Sequence, residues 1–214
     1  MRRSIQSGNP RCIDQEIHFA QDAWIESYRS LRESGSLKMW STARINSSPQ
    51  LKMKILDLAC GCAIKSFVLA RESSNVEIDC LDTKLVLNVA EDLAKRWGII
   101  KQVRCAAGNL LTSVLGEKSY DICLLGQITH YLTEIQNRCL FHRIHKALYL
   151  GGKLVLDVPM GGTRPDENSS FLSLMLWANS GGRAYSYEEY KAWLEDEGFK
   201  SIQKRSDRLL VANR

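Results

Sequence analysis

At 214 residues, 44% hydrophobic and 25% charged, the chain has the make-up of an ordinary globular protein, long enough for one large core. Its net charge of +5 comes from basic and acidic residues interspersed along the sequence, which reads as a solvated surface rather than a nucleic-acid footprint. No apolar run approaches a membrane span and the amino terminus lacks the apolar core of a signal peptide, so a cytoplasmic protein with neither membrane nor nucleic-acid partner is expected.

Met1 to Arg11 is a polar, basic tail. From Asp14 to Leu31 the apolar residues Ile17, Phe19, Ala20, Trp24, Ile25, Tyr28 and Leu31 follow a helical stripe. Arg32 to Lys52 reads as a loop with a short helix around Met39 to Arg44. Residues 1–50 are thus expected to be a tail, a helix and a linker ahead of a single domain at 51–214.

That domain opens on a strand, Met53 to Leu58, a turn of small residues, and a helix from Ile64 to Glu72. The turn's small positions are Ala59, Gly61 and Ala63. A second strand, Val76 to Asp82, ends in a carboxylate 21 residues past Gly61. An acid at the end of the second parallel strand can accept hydrogen bonds from both hydroxyls of a ribose. The turn lacks the three glycines of the dinucleotide fingerprint, which disfavours a nicotinamide oxidoreductase. A nucleoside without phosphates, such as S-adenosylmethionine, makes no such demand.

Lys84 to Trp97 predicts a helix with Gly98 at its C-terminal cap. Val103 to Ala107 predicts a third strand, followed by Gly108-Asn109-Leu110. Tyr120 to Leu125 predicts a fourth, whose end carries Gln127 and His130. Ligands of open parallel sheets sit beyond the carboxyl ends of the strands, which places His130 at the mouth of a site. Its ordinary pKa near 6.5 suits proton removal at neutral pH. By position alone, a histidine that caps or packs the loop explains the residue equally well; for Asn109 a plain turn residue is the lesser of the two readings.

Thr133-x-x-Gln136 is a capping box for a helix from Glu134 to Leu148, with Ile135, Cys139, Leu140, Ile144 and Leu148 expected inside. Gly151-Gly152 is expected to end it before a fifth strand, Lys153 to Val158. A loop from Pro159 to Ser169, a helical stretch Phe171 to Trp177 and a helix capped by Ser186-x-x-Glu189 follow. Phe199 to Arg205 and Arg208 to Ala212 read as paired closing strands. His142 and His145 are expected at the surface. The seven cysteines, with Cys80 and Cys123 inside apolar strand patterns, read as free thiols in a reducing compartment. Cys60-x-Cys62 has neither zinc nor redox spacing, and no metal is expected.

Five segments occur in order: Asp-Leu-Ala-Cys-Gly, Leu-Asp-Thr-Lys-Leu-Val-Leu, Ala-Ala-Gly-Asn-Leu-Leu, Tyr-Asp-Ile-Cys-Leu-Leu-Gly-Gln-Ile-Thr-His-Tyr-Leu and Ala-Leu-Tyr-Leu-Gly-Gly-Lys-Leu-Val-Leu. Together they resemble the catalytic domain of the class I S-adenosylmethionine-dependent methyltransferases, and within them the small-molecule O-methyltransferase family. The resemblance covers roughly Phe19 to Arg214 and implies a Rossmann-like α/β domain. Its sheet would have seven strands, mostly parallel with one antiparallel C-terminal strand, and helices on both faces. It implies S-adenosylmethionine as cofactor, S-adenosylhomocysteine as product and no metal.

By the same resemblance, Asp57, Gly61, Asp82, Thr83, Asn109, Leu110 and Gln127 are the cofactor set, and His130 is the general base with Asp157 as the carboxylate that orients it. Phe19, Met175 and Trp177 are candidates for the acceptor pocket, with core packing the competing reading for each. The expected reaction is methylation of a hydroxyl on a small or carrier-bound natural product. Methylation of nitrogen or carbon, and a non-catalytic subunit completing a partner's site, are the alternatives. Family members carry an N-terminal helical dimerisation domain that has almost no counterpart here. A homodimer or partner chain supplying that wall, or an open pocket, is therefore expected.

Overall fold

The computed structural model describes residues 52–161 and 167–214. Its strands form a seven-stranded sheet in the order β3-β2-β1-β4-β5-β7-β6. The described residues fall into two compact units, one of 52–114 with 119–124 and one of 115–118, 125–161 and 167–214. The expected domain boundary at residue 50 lies outside the described residues.

In the first unit, β1 (Met53–Leu58), β2 (Val76–Asp82) and β3 (Val103–Ala107) are parallel neighbours. The register sets Asp57 beside Cys80 and Asp82 beside Ala107. Strands β1 and β2 are buried along most of their length, as strands covered on both faces are, although Asp57 and Asp79 interrupt their apolar residues. Helix α1 (Ile64–Glu72) buries Phe67 and Ala70, and α2 (Lys84–Arg96) buries Val86, Leu87, Ala90 and Ala94. Gly98, at φ +71°, caps the end of α2 as its position predicts. A buried acid in β2, Asp79, is satisfied by Arg104, by the Tyr120 hydroxyl at 2.7 Å and by Lys54 at 3.5 Å. Strand β4 (Tyr120–Gly126) begins in this unit.

In the second unit, β5 (Leu148–Asp157) and β6 (Lys200–Lys204) both pair antiparallel with β7 (Leu209–Asn213). Three helices accompany them: α3 (Glu134–Ala147), α4 (Glu167–Ser180) and α5 (Tyr187–Asp196). Both predicted capping boxes form, at Thr133 with Gln136 and at Ser186 with Glu189. The core gathers Leu140, Phe141, Ile144, Leu154, Leu156, Tyr190, Leu194 and Leu210.

Two expectations fail here. Ile135 and Cys139 are exposed, and the inward face of α3 is Asn137, Leu140, Phe141, Ile144 and Ala147. Strand β5 starts at Leu148, so Gly151-Gly152 lies within the strand, where Gly151 takes φ +81° and pairs with the chain end at Arg214. Among the described residues no helix is long and apolar enough to cross a membrane, and no group of His, Cys, Asp or Glu is placed to hold a metal ion. Cys60, Cys62, Cys80, Cys105, Cys123 and Cys139 are free thiols, and Cys12 lies outside the described residues.

Phe141 has no exposed surface. Its truncation to alanine is expected to cost about 3–5 kcal/mol in urea denaturation, against about 1 kcal/mol for Ser186→Ala, which removes only a cap.

Candidate active site

The expected cofactor residues of the first unit converge on the end of β2. Asp82 accepts the Gly61 N–H at 2.9 Å through Oδ2 and the Thr83 N–H at 2.7 Å through Oδ1. Its backbone carbonyl accepts Gly108 N–H at 3.0 Å, and the carbonyl of Leu81 accepts Ala59 N–H at 2.8 Å. One strand end therefore ties down the loops after β1 and β3. Ala59, Gly61 and Ala63, the three small positions of the turn, are all left-handed, at φ +51°, +58° and +54°. Side chains larger than alanine would crowd such a turn, so backbone rather than side chain faces outward.

Beneath the turn, Ser66 Oγ donates to Asp57 Oδ2 at 2.6 Å. Asp57 is buried, and loss of water pushes its carboxyl up to about 6 against the lowering effect of the Ser66 bond. Burial also raises Asp82, opposed by the two backbone N–H groups it accepts. Asn109 spends its side-chain oxygen on Leu111 N–H at 2.8 Å, an Asx turn, so the turn reading of this residue is realised. An acceptor role toward an adenine amino group is thereby reduced to the second lone pair, and Nδ2 is the better-placed group for recognition. Leu110 is half-buried. Cys60 sits in the turn as a protonated thiol: a hydrogen bond with Cys80 favours its thiolate, but burial together with the nearby carboxylates of Asp57 and Asp82 pushes it up to about 12.

In the second unit, His130 lies on a single turn of 3-10 helix, Thr129–Tyr131. It is 7% exposed, and its Nδ1 has no hydrogen-bond partner among the described residues. Burial, with a smaller push from Arg208, lowers its pKa to about 4, so the imidazole is neutral across the physiological range. Among the described residues no hydrogen bond joins its Nδ1 to the Asp157 carboxylate. That carboxylate accepts from Gln127 Nε2 at 3.4 Å and lies 3.7 Å from Arg208 Nε. Gln127 is left-handed at φ +57°, and its backbone N–H donates to the Asp157 carbonyl at 2.8 Å. Its side-chain Nε2 donates to the Asp157 carbonyl at 3.2 Å as well as to the carboxylate.

Helix α4 packs against the His130 turn. Met175 is exposed beside Phe171 and Leu174, an i, i+3, i+4 set that makes one apolar face, while Trp177 is half-buried. Phe19 lies outside the described residues. His142 is exposed and paired with Glu197 at 3.1 Å, and His145 is half-buried against Phe199. Sequence reasoning missed Asn137, Tyr185, Tyr190 and Gly182, which surround the His130 turn. Only Asn137 had a signal: a polar residue spaced three, four and seven positions from Leu140, Phe141 and Ile144.

A family model described as the O-methyltransferase domain matches residues 36–200. The chain belongs to that family. Over 140 residues it is 31% identical to the tetracenomycin polyketide synthesis 8-O-methyl transferase TcmO of Streptomyces glaucescens, a match covering 63% of this chain and 40% of that protein. Its fold is similar to that of an O-methyltransferase family protein from Burkholderia thailandensis, with TM-score 0.80 and 18% identity over 100% of this chain and 67% of the other. It is likewise similar to human N-acetylserotonin methyltransferase in complex with SAM, with TM-score 0.75 and 16% identity over 100% of this chain and 65% of the other. The matches span only 37–44% of the length of the curated relatives.

The Asp57 carboxyl, near 6 when folded against an ordinary 3.8, favours the fold below its unfolded value. That contribution is lost as pH rises through about 6. Asp57→Asn removes the dependence. Moving from about pH 4 to about pH 7.5, urea denaturation should therefore show the variant gaining on the parent by on the order of 3 kcal/mol.

Proposed function

We propose that the chain transfers the methyl group of S-adenosylmethionine to a hydroxyl of a small natural product, with His130 as general base. The observation that carries this reading is the His130 imidazole: buried, neutral and unpartnered at Nδ1, in a chain of the O-methyltransferase family. The residues of the first unit fit a nucleoside cofactor. Each oxygen of Asp82 accepts one backbone N–H and keeps a second lone pair for a ribose hydroxyl. The left-handed turn offers backbone where a ligand needs close approach.

When bound, such a cofactor supplies a methyl group already activated by a positive sulfur. The remaining work falls to the chain's own side chains. Asp82 holds the sugar, and Asn109 donates from Nδ2 to the base. His130 takes the hydroxyl proton as the acceptor oxygen forms its new bond to carbon. A neutral histidine needs no prior deprotonation to do so at pH 7. The exposed apolar face of Phe171, Leu174 and Met175 on α4, the helix beside the His130 turn, supports an apolar acceptor such as a polyketide or a phenol.

His130→Gln is expected to lower kcat with a phenolic acceptor by about 10²–10⁴-fold while calorimetry shows S-adenosylmethionine bound as before. Full turnover by the variant would remove the base mechanism and favour a different acceptor atom. The acid limb of the kcat/KM profile should fall below about pH 5, in keeping with a folded value of about 4 rather than 6.5. Asp82→Ala should do the reverse of His130→Gln, weakening cofactor binding at least tenfold by calorimetry, since charge-assisted bonds are lost.

A further inference from the structure

A histidine base is ordinarily steered by a partner on its second ring nitrogen. His130 has none at Nδ1 among the described residues, and the carboxylate expected to serve is engaged elsewhere. The ring rests against that of Tyr131, 4.5 Å between centroids, and its orientation is otherwise set through the backbone of its own turn. That turn is enclosed by buried donors. Asn137 Nδ2 donates to the Thr129 carbonyl at 2.9 Å and to the Leu132 carbonyl at 3.3 Å, closing both ends. The Tyr185 hydroxyl donates to the same Leu132 carbonyl at 2.7 Å. The Tyr190 hydroxyl shares a 2.8 Å hydrogen bond with Thr129 Oγ1. Thr129, Asn137 and Tyr190 have no exposed surface, and Tyr185 is 3% exposed.

The two tyrosines are themselves fixed. Their rings meet edge to face at 5.8 Å, and each meets Trp193 the same way, at 4.9 and 5.6 Å. On a further side the chain passes so close that only glycine fits. A Cβ on Gly182 would stand 2.2 Å from the His130 carbonyl oxygen, 2.7 Å from the Tyr131 carbonyl carbon and 2.9 Å from that of His130. All three are backbone atoms, so a side chain at 182 displaces the His130 peptide itself. Gly182 does not have the positive φ of its neighbour Gly181, so space rather than dihedral freedom is the requirement.

We propose that Asn137, Tyr185 and Tyr190, with Gly182 seated against the peptide, are positioning residues that aim the His130 imidazole by clamping its turn. The proposal rests on the reading of His130 as the base, and its test separates the two. The chain has four histidines, so selective ¹⁵N-histidine labelling gives a short spectrum in which His130→Gln assigns the missing signals. In folded Tyr190→Phe, Tyr185→Phe and Gly182→Ala, the His130 ring signals should shift and broaden while those of His142 and His145 stay. Unmoved His130 signals in the two conservative tyrosine variants would overturn the clamp.

Turnover of a panel of phenols with S-adenosylmethionine supplies the second arm. Tyr190→Phe should lower kcat by about three- to tenfold at unchanged KM, the signature of misplacement without lost binding. In the His130→Gln background it should add nothing. An equal fractional loss in both backgrounds would show a role that bypasses His130 and would overturn the proposal. Undiminished turnover by His130→Gln alone would defeat only the base reading, and the spectra would still judge the clamp.

Discussion

The carboxylate of Asp82 holds the first unit's loops in place. It accepts the N–H of Gly61 from the turn after β1 and the N–H of Thr83 at the start of α2. The carbonyl of the same residue accepts Gly108 from the loop after β3. A turn with Ala59 and Ala63 both left-handed carries strain of order 1–3 kcal/mol at each such residue, and it persists because several bonds to β2 determine it together. The buried Asp57–Ser66 pair supports the same turn from below. Loop geometry, backbone exposure and the charge offered to a ligand all descend from one strand end.

The second unit solves its positioning problem by other means. Among the described residues no carboxylate reaches Nδ1 of His130, and a charged partner there would hold the imidazole by one strong bond. The enclosure instead consists of neutral donors and aromatic edges, several weaker constraints from α3, from α5 and from the Gly181-Gly182 passage. A neutral cage leaves the ring's basicity to burial and, to a smaller degree, to the charge of Arg208, and both lower it. The same physics raises Asp57 in the first unit. Each group is thus pushed toward its uncharged form, which costs least where water is excluded.

Much of this was legible along the chain. The strand, turn and helix around Gly61, the acid closing β2 and both capping boxes are local patterns, and each appears where the residues place it. The three small positions of the turn are the three residues that prove left-handed, a conformation expected only of Gly61. The face of α3 was misread: the expected stripe took in the apolar Ile135 and Cys139, and the polar Asn137 lies inside instead. Its amide nitrogen is satisfied inside by two carbonyls, although its buried oxygen has no partner among the described residues, and nothing along the helix announces those carbonyls.

By itself, the sequence determined the order of elements, their caps, the small-residue turn and the family, because these rest on neighbours a few residues apart. Tertiary structure alone decided which groups meet. It set Asp157 against Gln127 and Arg208, and it brought Tyr185, Tyr190 and Gly182 around a turn some fifty residues earlier. The physical reason is that hydrogen bonds between distant residues and the space left for a single Cβ depend on how elements pack, and packing has no period that a sequence displays.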